Sequence, residues 1–257
     1  MRFFKKKSIV PSGVVSVGHV HNIGARDSQQ DAFGFSGSDC GEGGTLAIVA
    51  DGMGGLVNSG QISTGIVSAV MDAYAPGGEL PAATHLQLLL KRAIGEAAAL
   101  TAGLNYQSGS TLVAGLVQNN GLSWISVGDS RIYLWRAGGL IQLNRDHDFA
   151  HDLMVMAIMD QITFEEADSN PRKGSLTSYI GRDFPRYVDF NPEPITLRRG
   201  DRIILMSDGI YRALTEAELT RYLRRPAAKC ARIMERRIRQ KKLPQQDNFT
   251  AVILEIE

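Results

Sequence analysis

The chain has 257 residues, 44% of them hydrophobic and 21% charged, with a formal net charge of +1. This is the balance of an ordinary globular protein with ample core, and it gives no global attraction to nucleic acid or to an anionic membrane. Two cysteines, Cys40 and Cys230, are too few for a disulfide scaffold and fit a reducing compartment, and no apolar run approaches the ~20 residues of a membrane helix. The opening MRFFKKKSIVPSG is basic but meets Pro11 and Gly13 before a signal-peptide core develops, so a cytoplasmic location is expected.

In chain order, short strands are predicted at 14–20 and 32–35, on either side of the polar stretch HNIGARDSQQD. The run 45–50 is almost continuously apolar, as in a strand buried on both faces. Residues 59–75 and 85–105 carry helical spacing and helix formers such as Ala and Leu. Four apolar or alternating runs follow, STLVAGLVQ, LSWISV, RIYLWR and LIQL, joined by NNG, GDS and AGG. Such short connections predict consecutive hairpins and hence an antiparallel meander. Residues 146–190 turn irregular and polar around one helix, DFAHDLMVMAIMD. A strand at IILMSD, two helices within 215–242 and the strand FTAVILEIE complete the pattern. With no repeat, low-complexity segment or linker, this reads as one α+β domain over 1–257, two packed antiparallel sheets flanked by helices.

Acids gather where strands end. Asp51 and Asp208 each follow an apolar strand and precede glycine; Asp31 and Asp247 stand before strands, and Asp129 lies in GDS. A carboxylate at the end of a buried strand is costly to desolvate unless its charge is compensated. An oxygen-only set without a His or Cys cluster favours hard cations such as Mg²⁺ or Mn²⁺ over zinc. Each Asp-Gly taken alone is as well explained as a turn or a cap, so spacing leaves both readings open.

The ordered series GARDSQQDAFG, VADGMGG, GSTLV, VGDSRIYL, LNRDH, ILMSDGIY and QDNFTAVIL resembles the metal-dependent protein phosphatases, the type 2C serine/threonine phosphatase family, over about residues 14–255. The resemblance implies an αββα sandwich with two Mn²⁺ or Mg²⁺ ions at one end and direct hydrolysis of phosphoserine or phosphothreonine by a metal-activated water. It implies that Asp51 bridges both ions and that Gly52 offers its carbonyl. Asp208 and Asp247 complete the first ion, and Asp129 would serve a third, weaker ion seen in bacterial members. By the same resemblance Asp31 orders bound water and Arg26 grips the substrate phosphate, for which a planar guanidinium fork is suited. The implied partner is a phosphorylated protein, the substrate of a cognate serine/threonine kinase, in a signalling role and with the enzyme as a monomer. Two departures stand out: Gln30 where many relatives have glutamate, and Met53 where eukaryotic relatives have a histidine proposed as general acid. Residues 147–190 correspond to the flap that varies in the family, with LTSYIG (176–181) an unusual version of its end.

Other features read as structure first. Residues 221–242 hold ten Lys or Arg and one Glu, a solvated helix face or a surface for an acidic partner, without the interleaved aromatics that stack bases. His147 and His151 read as flap or structural residues, the cluster Leu153, Met154, Met156, Ile158 and Met159 as helix packing, and Cys40 as an unreactive loop thiol. The rivals to an active phosphatase are a catalytically inactive pseudophosphatase that binds phosphoproteins and an enzyme for small phosphate esters. The complete set Arg26, Asp51, Gly52, Asp208 and Asp247 favours activity.

Overall fold

The computed structural model describes residues 15–37, 44–53, 59–74, 80–104, 108–181 and 183–257. Strands β1 (Val15–Asn22) and β2 (Asp31–Phe35) flank the polar loop, and β3 (Thr45–Met53) is buried along most of its length. Helices α1 (Ser59–Ala73) and α2 (Ala82–Thr101) follow, the second beginning just after Pro81. Next come β4 (Gly109–Ser110), β5 (Leu112–Gln118), β6 (Gly121–Val127), β7 (Arg131–Arg136) and β8 (Gly139–Gln142). Helix α3 (Phe149–Ile158) is capped by Asp148, and α4 (Phe164–Ser169) by a reciprocal Thr163–Glu166 capping box. The short strands β9 (Ile180–Gly181), β10 (Asp189–Phe190) and β11 (Ile195–Thr196) lead to β12 (Arg202–Met206). Helices α5 (Asp208–Tyr211), α6 (Glu216–Tyr222) and α7 (Ala227–Lys241) precede the last strand, β13 (Phe249–Ile256).

Two antiparallel sheets result. One runs β1-β13-β12-β7-β8; the other runs β10-β6-β5-β3-β4-β9, with β2 also on β3 and β11 on β6. The period of two in the strands sorts their side chains into three layers. Ala47 and Val49 of β3, Ile203 and Leu205 of β12, and Val252 and Leu254 of β13 meet between the sheets. Leu46 and Ile48 turn outward under α1 and α2, and Ile204, Ala251 and Ile253 turn outward under α7. Burying side chains of this size contributes ~1.5–3 kcal/mol each, and a slip of one residue would exchange the faces. Register is thereby held, and with it the position of each acid at a strand end. The αββα sandwich expected from the sequence is the observed one.

The four-strand meander is not. β5 and β6 pair as a hairpin, and so do β7 and β8, but the two hairpins lie in different sheets. Asn119 and Asn120 both have positive φ, as do Ala137 and Gly138, which are the turn geometries that close two-residue hairpins. At GDS only Gly128 has positive φ, so the chain does not fold back there; it crosses from one sheet to the other. The flap also holds two helices where one was expected. Val14, Cys40 and the first thirteen residues lie outside the described residues.

Candidate metal centre

Asp51 and Gly52 lie in the last three residues of β3. The Asp51 N–H donates to Thr111 Oγ1 at 3.0 Å, and its carbonyl accepts from Thr111 N at 2.8 Å and Ser110 Oγ at 3.0 Å. Gly52 N donates to the Gln30 carbonyl at 3.0 Å. A Cβ at Gly52 would stand 2.5 Å from the Ser59 carbonyl oxygen and 2.7 Å from that of Gln30, so only glycine lets α1 and the loop before β2 close on this strand end.

Asp31 lies directly opposite Asp51 in the β2–β3 register. It is buried; its Oδ2 accepts from Ser207 Oγ at 2.7 Å, while Oδ1 has no hydrogen-bond partner among the described residues. Asp208 opens α5 one residue later, again with a buried Oδ1 that has no such partner. Asp247 stands two residues before β13 and accepts from Arg26 Nη2 at 2.6 Å. Asn248 ties the same loop down: its Oδ1 accepts from Gln30 N at 2.7 Å and its Nδ2 donates to the carbonyls of Ile23 and Ser28. A groove of about 760 Å³ opens between Arg26, Arg212 and Asp247.

Asp129 enters from the crossover between the sheets. The Thr111 and Ser130 hydroxyls bond at 2.7 Å, Asn144 Nδ2 donates to the Ser130 carbonyl, and the Gly128 N–H donates to His147 Nδ1 at 3.1 Å. His147 therefore has the structural role read from the sequence. Tyr211 donates its hydroxyl to the Asp129 carbonyl at 3.1 Å, and Arg131, chelated by Asp146, lies 3.7 Å above the Tyr211 ring. Arg212 Nη2 sits 3.0 Å from Asp208 Oδ2 and 3.8 Å from Asp129 Oδ2. Sequence reasoning missed Thr111, Ser207, Asn248, Tyr211 and Arg212. Only Arg212 left a local sign, since it follows Asp208 by four residues and so shares its helix face.

The electrostatics agree on one point. Burial and the charges of Asp31, Asp208, Asp129 and Asp247 hold the Asp51 carboxyl well above the usual range, which places all five acids in one field. Burial raises Asp31 to about 6, against the opposing hydrogen bonds of Ser207 and Thr250. Burial and Asp208 raise Asp129 to about 7, against Arg212, and burial raises Asp208 as well. Such a cluster must hold protons or a cation, and a divalent ion would reverse every one of these shifts. Among the described residues no group of three or more His, Cys, Asp or Glu side chains is set to hold an ion as it stands. Arg26 and Arg212 draw Asp247 and Asp208 to themselves instead. The orphaned oxygens of Asp31 and Asp208, facing a field of like charge, nevertheless fit hard cations.

The remaining features keep to structure. In α7 the residues Ala227, Cys230, Ala231, Met234 and Ile238 are buried, while Arg237 and Lys241 pair with Glu218, so part of the basic run stabilises the fold and the rest is a solvated face. Leu153 is buried in the flap, but Met154, Val155, Ile158, Met159 and Phe184 are exposed, so the cluster is only partly packing. Among the described residues no helix is long and apolar enough to cross a membrane.

The family model described as protein phosphatase 2C matches residues 19–246. The chain belongs to the protein phosphatase 2C family. Its class is therefore that of the metal-dependent phosphoprotein phosphatases. The serine/threonine phosphatase Stp of Listeria innocua is 31% identical over 186 residues, 70% of this chain and 71% of its own length. The crystal structure of the Mycobacterium tuberculosis serine/threonine phosphatase PstP is similar with a TM-score of 0.76 and 26% identity, covering 95% of this chain and 99% of that one. The catalytic domain of PstP in complex with two manganese ions is similar with a TM-score of 0.71 and 25% identity, covering 95% of this chain and 98% of that one.

Proposed function

We propose that this chain hydrolyses phosphoserine and phosphothreonine in phosphorylated proteins at a centre of two Mn²⁺ or Mg²⁺ ions. Asp51, the Gly52 carbonyl, Asp208 and Asp247 would hold them. When bound, two such ions acidify water and neutralise the phosphate. The carrying observation is the pair Asp31 and Asp51, two carboxylates in register, with buried oxygens on Asp31 and Asp208 that have no partner among the described residues. In this reading the exposed guanidinium of Arg26, at the rim beside Asp247, meets the substrate phosphate with its planar fork. Asp31, fixed through one oxygen by Ser207, keeps the other free to accept a proton or orient water. Met53 can donate no proton, so the alcohol leaving group receives one from elsewhere.

The whole chain acts as one unit, with the flap 147–190 reading the substrate through its exposed apolar side chains. The substrate would be a target of a serine/threonine kinase in the same cytoplasmic pathway. The test is phosphate release from a phosphothreonine peptide and from p-nitrophenyl phosphate, with and without Mn²⁺, in wild type and Asp208→Asn. Mn²⁺-dependent turnover lost in Asp208→Asn supports the reading. Peptide binding without turnover would assign the chain to the inactive binding modules instead.

A further inference from the structure

Asp129 is buried, and a buried carboxylate needs a counter-charge. Among the described residues the only cation paired with it is Arg212, whose Nη2 also contacts Asp208. One nitrogen thus stands between one oxygen of each acid, at 3.8 Å and 3.0 Å. We propose that Arg212 is a built-in cation occupying the place between Asp129 and Asp208, so that this chain operates with two metal ions and holds no third. The inference rests on the two-ion reading above and stands against the third, weaker ion that the resemblance implied at Asp129.

Three features carry it. The first is sequence order: Asp208 and Arg212 are four apart, so α5 and the turn after it deliver the guanidinium to the acid's own side. The second is reach. A hard ion such as Mg²⁺ requires oxygens at ~2.0–2.1 Å, whereas the single Arg212 Nη2 stands 3.0 Å from one acid and 3.8 Å from the other and serves both at these longer separations. The third is what holds the surroundings. Tyr211, next in sequence to Arg212, bonds the Asp129 carbonyl under Arg131, so Asp129 is set toward Arg212 from behind. A guanidinium stays charged at every pH the protein survives, whereas a weakly bound ion leaves on dilution. Asp208 divides its oxygens accordingly: Oδ2 faces Arg212 and Oδ1 is left for the core ions. Arg212 is in this sense a positioning residue, acting through the two acids.

Mn²⁺ stoichiometry by isothermal titration and equilibrium dialysis decides the matter without any assay of turnover. Wild type and Arg212→Lys should bind two Mn²⁺ per chain. Arg212→Ala should bind three, and Arg212→Ala combined with Asp129→Asn should return to two. The Arg212 side chain is more than half exposed, so its replacement leaves the fold intact, which circular dichroism verifies. Three ions in wild type, or two in Arg212→Ala, would overturn the proposal while leaving the two-ion centre standing. Failure of every variant to bind Mn²⁺ would overturn the centre and this inference together.

Discussion

Asp31 and Asp51 face each other across the antiparallel pair of β2 and β3, two carboxylates in register on neighbouring strands. Like charges so placed destabilise a sheet. Adding Mn²⁺ should therefore stabilise the folded chain. At a hundredfold excess over Kd the gain is about 2.7 kcal/mol, or ~5–10 °C in Tm for a chain of this size. EDTA should reverse it. An unmoved melting curve in saturating Mn²⁺ would remove the reason for grouping these acids.

Asp208→Asn should abolish turnover, because in the proposed reading the buried Oδ1 of Asp208 would be a ligand of the centre. Arg26→Ala should act on KM instead, raising it about ten- to hundredfold by the loss of a charge-assisted contact made already in the ground state. Steady-state kinetics on a phosphothreonine peptide separate the two. A kcat unchanged in Asp208→Asn would show that the centre lies elsewhere.

Thr111→Val keeps the shape of the side chain and deletes its hydroxyl. The Asp51 N–H and the Ser130 hydroxyl then lose a buried partner, a cost of ~1–3 kcal/mol. Urea denaturation should show that loss, together with weaker Mn²⁺ binding because both Asp51 and the Asp129 crossover lose their common tie. Wild-type stability and wild-type affinity together would contradict this role.

Gly209→Ala places a Cβ 2.0 Å from the Asn248 carbonyl oxygen, a backbone atom that cannot rotate away. The entry to α5 must shift, and Asp208 with it. A loss of more than ~2 kcal/mol in stability is expected, on the scale of strained or overpacked core sites. Soluble expression with an unchanged urea midpoint would refute the close packing.

Burial pushes the Cys230 thiol up to about 12, and its side chain is fully covered in the α7 core. At pH 8 it stays protonated and out of reach. Iodoacetamide should leave it unmodified in the folded chain and alkylate it in urea, as read by peptide mass mapping. Rapid labelling in native buffer would mean that α7 does not pack as described.

The linear order of residues by itself determined where apolar runs end and which acids stand near those ends, and it left a turn or cap and a hard cation both open as the reason. Those properties are local: a period of two marks a strand, glycine marks a turn, and Asp-Gly after an apolar run marks a costly charge. The tertiary structure decided which strands are neighbours, because alternation assigns a side chain to a face without naming the strand beside it. GDS therefore read as a hairpin turn like NNG and AGG, and its crossing between sheets became visible only through pairing. The same holds for charge. Asp31 and Asp51 are twenty residues apart in sequence, and Asp129 and Asp208 seventy-nine, yet each pair shares one field in a buried site, where proximity in space and the local dielectric set the energy.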